Sequence, residues 1–488
     1  MTLHRKRFLL VGPASLALLV AGVFAPVLGF GFVRWDDDIN LTQNPLLTEP
    51  WSWSLAGKLF DAGQALRFKP VHWLVDRAFH GLVGFDPAGW HALNLALHLV
   101  ATLLFFAVLR RLLARVAPEA GGVRADAAAG LVAALWAVHP LRAETVAWAT
   151  ASPYPLTAVW LLGSFGCYLA ANESAAGTGR RRAWFVAAWL LAVAAYGTYP
   201  IAATYGLWLI AVDVWWLRIG PARGAPAHAW FAWAGKHAAF LAPAAAATAV
   251  TLATRLAQPG IFTEAPTLDS VGLPLRAAMA LATLADFVVR FVRPIDLTPN
   301  LPAFALDGAT LVRLALLAGA AVAVLAWSWA RRRTQPRLAL VVVGFAARRQ
   351  AEIWRDSGTL FAAMERHPHF KDNARQAGHV YVLWARDEAA RGHPRRAAEL
   401  FGRARATYLD AIKAALARPD YDEALSLLTH IEHHLGLTPD LRREKGAWLL
   451  HAGRPAEAVP ELRAAVAAMP ADARAQALLA EAEAGAAR

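Results

Sequence analysis

The sequence predicts an all-α protein: a polytopic bundle of about nine or ten membrane helices, followed by a C-terminal α-solenoid of helix pairs. Three observations predict it. Of 488 residues, 57% are hydrophobic and only 17% charged, and mean hydropathy is +0.36, a balance foreign to a water-soluble domain of this length. Apolar blocks of about 17–25 residues recur up to Trp329, divided by short charged or Pro/Gly-rich stretches, and such blocks are long enough to cross about 30 Å of hydrocarbon. Beyond Arg348 the texture changes to Ala, Leu, Arg and Glu at amphipathic spacing with no spanning run. The change separates a membrane domain, 1–347, from a helical domain, 348–488.

The first span, about 8–32, follows His4-Arg5-Lys6-Arg7. Its apolar run is too long for a secretory signal and shows no small-x-small site, so it reads as a permanent anchor with a cytoplasmic N-terminus. Further spans are expected at 91–113, 126–140, 153–171, 183–198, 200–217, 237–254, 275–293 and 309–330. Simple alternation then puts Arg110, Arg111 and Arg115, Arg180 to Arg182, and Arg218 with Arg223 on the cytoplasmic side, as the positive-inside rule requires. Continued alternation would carry Arg331 to Arg333 outside, so one segment must not cross. That role falls to 275–293, which holds Arg276, Asp286, Arg290 and Arg293 and reads as re-entrant or surface-lying. Leu338 to Ala347 is too short to span unless its neighbours complete it; with it completed, the C-terminal domain emerges extracytoplasmically. The location expected is the inner membrane of a bacterium.

The net charge of +13 sits in clusters flanking apolar runs, with no basic face interleaved with stacking aromatics, which argues against nucleic acid. The single cysteine, Cys167, allows neither an internal disulfide nor a cysteine metal site.

Residues with chemical potential gather in the outer loops. The loop at 32–90 opens with Trp35-Asp36-Asp37-Asp38. Adjacent carboxylates suit a general base with a divalent metal or an electrostatic partner, and they equally suit a solvated, helix-capping acidic turn. The same loop holds Phe68-Lys69-Pro70, Asp86 and Trp90-His91. His91, Asn94 and His98 share one helix face, which implies either a buried polar site or interhelical hydrogen bonds. A second outer constellation runs from His139-Pro140 through Arg142 and Glu144 to Trp148; its arginine and carboxylate could serve a phosphate and an acid, or pair with each other. A third, Gly197-Thr198-Tyr199-Pro200, reads as a tight hairpin turn.

In this order, Trp35-Asp36-Asp37-Asp38 with Asn44-Pro45, Phe68-Lys69-Pro70 through Gly84-Phe85-Asp86-Pro87, His91 to His98, His139-Pro140 through Glu144-Thr145-Val146-Ala147-Trp148, and Trp354-Arg355-Asp356-Ser357 with Thr359-Leu360-Phe361 resemble one family. It is the tetratricopeptide-containing, multi-spanning GT-C-type glycosyltransferases, bacterial relatives of the transmembrane O-mannosyltransferases. The resemblance implies a GT-C-like membrane domain that transfers sugar from a polyprenyl-phosphate donor to a protein or glycan acceptor outside the membrane. It implies Asp36 and Asp37, with Asp38 beside them, as the catalytic element. Lys69, Arg142 or Arg293 would steady the phosphate, and His91, His139 and Glu144 would line the substrate site. No resident cofactor is implied beyond room for a divalent metal. Partners would be the lipid-linked donor, the acceptor, membrane lipid and a protein bound by the repeats. The chain departs from the family pattern at Ala151-Ser152-Pro153-Tyr154, where a basic residue usually stands next to an aspartate. It departs again at Gly197-Thr198, where Ser-Lys is usual, and in having fewer spans before Trp354. Those departures keep open a second reading, a non-catalytic membrane-anchored scaffold working through its repeats.

The C-terminal domain fits a 34-residue helix–turn–helix repeat best at Arg442 to Pro470, through Gly446, Leu449, Gly453, Ala458, Leu462 and Ala465. Gly392, Ala397, Phe401 and Ala404 mark an earlier unit and Ala424, Leu428 and Ile431 a weaker one; generic amphipathic helices would match many of the same positions. Stacked pairs would offer a concave surface to a peptide. His430, His433 and His434 lack a supporting carboxylate pattern and read as a solvated helix face.

Overall fold

A computed structural model of the protein describes residues 3–61, 68–116, 122–222, 224–257, 354–367 and 374–487, together with Phe370 and single positions between 287 and 297. Among them the chain is helical, with no strand. It forms two compact units: one runs to Leu297 and takes in 354–356, and the other begins at Ser357. Seven of the nine expected spans lie in described residues, and each is occupied by helix. The expected spans at 275–293, all but a few positions, and at 309–330 lie outside the described residues, as does Leu338 to Ala347.

The first unit is built on α1 (Leu3–Phe24), α5 (Pro87–Val116), α6 (Gly122–Ala137), α8 (Pro153–Glu173), α9 (Gly179–Tyr196), α10 (Tyr205–Ala211) and α11 (Ala227–Ala257). Among the described residues, four segments are long and apolar enough to cross a membrane: Gly12–Gly29, Pro87–Arg115, Ala149–Glu173 and Ala227–Thr254; Pro200–Val214 is a shorter apolar stretch. Side-chain partners fix their directions. Phe24 meets His98 edge-on, His98 reaches the Ala137 carbonyl and Arg110 pairs with Asp126 at 2.7 Å, so α1 and α6 both run antiparallel to α5. Asn94 bonds the Trp148 carbonyl and Arg111 the Gly166 carbonyl, which makes α8 parallel to α5. Ser164 bonds the Ala188 carbonyl and Tyr168 meets Phe185, so α9 returns. Alternation therefore gathers Arg110, Arg111, Arg115 and Arg180 to Arg182 at one end of the bundle and the long loops at the other.

Small residues let the α8–α9 hairpin close. Ala188, Ala192 and Ala195 are wholly buried, and a Cβ on Gly163 would already touch Leu191 at 3.4 Å; close approach of this kind replaces hydrophobic drive where lipid is the solvent. Farther along, a π-helical turn, Val212–Leu217, presents Asp213 to Tyr168 at 2.8 Å, His237 at 3.0 Å and the Lys236 ammonium. The wholly buried Asp213 thus pins α11 to α8, since a buried carboxylate without such donors costs several kcal/mol.

At the loop end, the chain turns through short helices: α2 (Pro45–Thr48), α3 (Trp53–Phe60), α4 (Pro70–Val83) and α7 (Ala143–Ala147). Asn44 caps α2 by accepting from Leu46 N–H, and Ser52 caps α3 by accepting from Leu55 N–H. Arg77 on α4 donates to the carbonyls of Leu46 and Glu49, supplying partners that the single turn of α2 cannot supply to its own C-terminal end.

The second unit is a succession of packed helices: α12 (Ser357–Glu365), α13 (Ala374–Ala390), α14 (Pro394–Leu416), α15 (Tyr421–Leu435), α16 (Pro439–His451), α17 (Pro455–Ala468) and α18 (Ala473–Ala486). Pro394, Pro439 and Pro455 open helices where their missing N–H is harmless. Arg442 and Lys445 on α16 share Glu432 of α15 and Glu461 of α17. The histidines expected on a solvated face divide: His433 is exposed, while His430 and His434 are half-buried, because His430 stacks on Tyr408 and His434 lies against His379.

Gly446 supports close packing of α16 on α17, since a Cβ there would fall 2.3 Å from Leu462 Cγ, whereas Gly402 on α14 faces open space. Gly446→Ala is expected to destabilise the second unit by about 1–3 kcal/mol. Gly402→Ala should stabilise it by about 0.5–1 kcal/mol. Thermal unfolding of the full chain, followed by protease sensitivity of the C-terminal unit, checks both; equal effects would remove the packing role of Gly446.

Candidate functional site

The loop end of the bundle is organised by Asp37. After Gly31, whose N–H donates to the Arg355 carbonyl at 3.0 Å, the chain passes Trp35 and makes a left-handed turn at Asp36 (φ 68°). The turn swings the next carboxylate inward. Asp37, 1% exposed, accepts from Val33 N–H at 2.8 Å on one oxygen and from Thr150 N–H at 3.0 Å on the other. Burial pushes its carboxyl up to about 8 against the opposing pull of those two N–H donors, with Asp36 and Asp38 adding a little. Trp148 ties the same two segments by donating its indole N–H to the Trp35 carbonyl at 2.8 Å and stacks on Trp354 at 5.2 Å. Asn94, fully buried, donates to the carbonyls of Trp148 and Ala149. His91 makes a long contact of 3.4 Å to the Gly31 carbonyl.

Two residues past Thr150, Ser152 leads into a second buried group. Its hydroxyl donates to Asp76 at 3.2 Å, and Asp76 also faces His72 at 3.3 Å. Lys69 stands over the Trp73 ring at 4.2 Å and acts on both Asp76 and His72. All four polar residues are buried. Burial raises Asp76 to about 7, with Lys69 and the Ser152 hydroxyl pulling the other way. Burial and, secondarily, Lys69 hold the His72 imidazole well below its ordinary range, so the ring is neutral, and its Nδ1 has no partner among the described residues. The Val71 N–H donates to the Gly197 carbonyl at 2.8 Å, and Tyr154 and Tyr199 share a hydroxyl contact of 3.2 Å. The turn at Gly197 is therefore more than a hairpin: it seats α4, and a Cβ on Gly197 would strike Val71 at 2.7 Å. A cavity of about 300 Å³ opens beside it, lined by Phe68, Tyr196, Tyr199, Ala203 and, from α11, Ala244 and Thr248.

The remaining residues expected from the sequence form a separate group or stand apart. His139 accepts from Leu141 N–H and donates to the Phe291 carbonyl at 2.8 Å; burial lowers its pKa despite that bond. Arg142 lies over the Trp136 ring at 5.5 Å, with a buried Nε that has no partner among the described residues. Glu144 is exposed, and the two do not pair. Arg293 is exposed as well. Asp38 opens a π-helical turn, its side chain accepting from the adjacent Ile39 N–H, and Asp37 gives no side-chain cap to that turn. Among the described residues no three His, Cys, Asp or Glu side chains stand together as a metal site.

His72, Asp76 and Ser152 were not among the residues expected from the sequence. Their one legible signal is the i,i+4 spacing of His72 and Asp76 on a helix opened by Pro70, which places both on one face.

Asp37 and Asp76 bind protons in the folded state that the unfolded chain, with carboxyls near 3.8, releases. Their contribution is full below about pH 4 and is lost as pH rises toward 7 and 8. The melting temperature of the full-length protein in nanodiscs is expected to fall between pH 5 and pH 8, and Asp76→Asn should flatten that slope; an unchanged slope would remove Asp76 from the balance. The chain matches no protein-family model, no curated protein and no solved structure, so the geometry of the loop end carries the functional reading.

Proposed function

We propose that the protein is a membrane glycosyltransferase that moves a sugar from a polyprenyl-phosphate donor to a hydroxyl of a protein or glycan acceptor. One observation carries the reading. The Asp36–Asp38 turn, the Trp148–Ser152 segment and the buried Lys69 are joined into one assembly through Asp37, Thr150, Ser152 and Asp76. Asp36, exposed in a conformation that non-glycine residues rarely adopt, is the carboxylate aimed outward; strain of this kind costs about 1–3 kcal/mol and collects at working sites. In the reaction Asp36 takes the proton of the acceptor hydroxyl as its oxygen bonds the anomeric carbon. The bond from that carbon to the donor phosphate oxygen breaks, and the departing phosphate carries the electron pair to a cation, Lys69 or Arg142. The cavity beside Tyr199 is apolar and adjoins Phe68, next to Lys69, a place for the first units of the donor chain. The repeat-like second unit would hold the acceptor.

A second reading, a non-catalytic scaffold, draws support from Asp37, both of whose oxygens are occupied by backbone donors and whose role is thereby structural. The two readings separate on Asp36. Membranes holding the protein are supplied with labelled sugar on polyprenyl phosphate, beside Asp36→Asn and Asp37→Asn variants. The enzyme reading expects transfer in the parent, a loss of 100-fold or more in Asp36→Asn at unchanged melting temperature, roughly the weight of a general base, and loss of both transfer and stability in Asp37→Asn. Absence of transfer from the folded parent with every donor leaves the scaffold.

A further inference from the structure

At the arginine end of the α8–α9 hairpin, opposite the candidate site, lies a second cavity of about 370 Å³, lined by Arg111, Glu173, Ser174, Thr178, Arg180 and Trp184. That volume is within the range of small-ligand sites. Arg111 is held in place by donating one N–H to the Gly166 carbonyl at 2.8 Å. Thr178 caps α9, accepting from Arg181 N–H at 3.2 Å, so the positive end of the α9 dipole faces the same space. Glu173 pairs with neither arginine, although opposite charges share one wall; elsewhere at this end Arg110 does pair with its carboxylate, Asp126.

From this arrangement we infer that the cavity binds the phosphoethanolamine headgroup of a membrane phospholipid. Arg111 and Arg180 take the phosphodiester oxygens, and Glu173 accepts from the primary ammonium. Two cations and one separated carboxylate match a ligand carrying one anion and one N–H cation. Phosphatidylglycerol offers no ammonium, and phosphatidylcholine offers one without N–H. The source is a lipid because the cavity opens between the ends of two bundle helices, α5 and α8, each long and apolar enough to span a bilayer. Trp184 lines it, and an indole belongs at a membrane interface; basic pockets between helix ends are a recurring seat for headgroups.

The experiment titrates the full-length protein in non-ionic detergent with short-chain phosphatidylethanolamine, phosphatidylcholine and phosphatidylglycerol of equal chain length, and with glycerophosphoethanolamine. Phosphatidylethanolamine is expected to bind at least 10-fold more tightly than the other two lipids. The Arg111→Gln/Arg180→Gln double variant should lose at least 10-fold for every phospholipid, and Glu173→Gln should remove the preference over phosphatidylglycerol while keeping phosphate binding. Arg182→Gln, an exposed arginine outside the cavity, should change nothing, and melting temperatures confirm that each variant is folded. Equal affinity for the three lipids, or an Arg182→Gln loss as large as the double variant's, overturns the proposal. Glycerophosphoethanolamine binding as tightly as the lipid overturns the membrane source and leaves a soluble phosphoethanolamine site.

Discussion

The carboxylate of Asp37 holds the loop end together. It is carried on a segment that has just left the first helix, and it accepts backbone N–H groups from its own segment and from Thr150, more than a hundred residues away. Backbone donors in a poorly hydrated place need acceptors, and at Thr150 the chain is passing from α7 into α8, where the ordinary helical partner is missing. One side chain therefore satisfies two orphan donors and sets the distance between the first outer loop and the start of α8. Trp148 and Asn94 reinforce the same junction from either side, and the second buried group around Asp76 begins two residues later. Remove the clamp, and Ser152, Asp76 and Lys69 lose the fixed edge against which they are arranged.

Two of the buried carboxylates of the first unit, Asp213 and Asp37, solve the same problem differently. Asp213 collects a tyrosine, a histidine and a lysine on one oxygen, direct charge compensation inside the bundle. Asp37 collects only backbone dipoles, and its burial, with a little help from the like charges beside it on the chain, outweighs their pull, so its proton is held far more tightly than an ordinary carboxyl's. Asp213 belongs to the packing of α8, α10 and α11. Asp37 lies where a change of protonation would be felt by a turn that also carries an exposed acid.

The bundle was legible in the sequence because its cause is simple: long apolar blocks have no stable alternative to helix in lipid, and arginine clusters mark their shared end. The acidic triplet was legible as a concentration of charge, but not its division of labour. Asp36 faces outward and Asp37 inward because of a left-handed φ at one residue, and nothing in Trp35-Asp36-Asp37-Asp38 announces which residue will take it. His72 and Asp76 were hidden by the opposite circumstance: they are two of several scattered polar residues on one amphipathic helix with Lys69 at its N-cap, and only the arrival of Ser152 from another element makes a group of them. Ser152 stands where the resembled family has another pattern, so comparison by motif pointed away from it. The 34-residue spacing marked Gly446, whose need for a hydrogen in place of a side chain is set by Leu462 on the facing helix.

The same division bears on what the loop end can do. Were the triplet only a solvated capping turn, Asp37 would face water and its oxygens would serve the N-terminus of the turn that follows, yet it caps nothing there. Were all three acids catalytic, one would not be spent on two backbone amides, one from its own segment and one from Thr150. The observed arrangement spends Asp37 on position and thereby holds Asp36 in a strained, outward conformation that a free chain would relax. Strain persists only where surrounding contacts over-determine it, and here those contacts are the Asp37 bonds on one side and the Trp148 bond to the Trp35 carbonyl on the other. On the enzyme reading proposed above, a carboxylate held this way gains orientation toward a hydroxyl that it must meet at a defined point. On that proposed reading the weight of the loop end falls on Asp36.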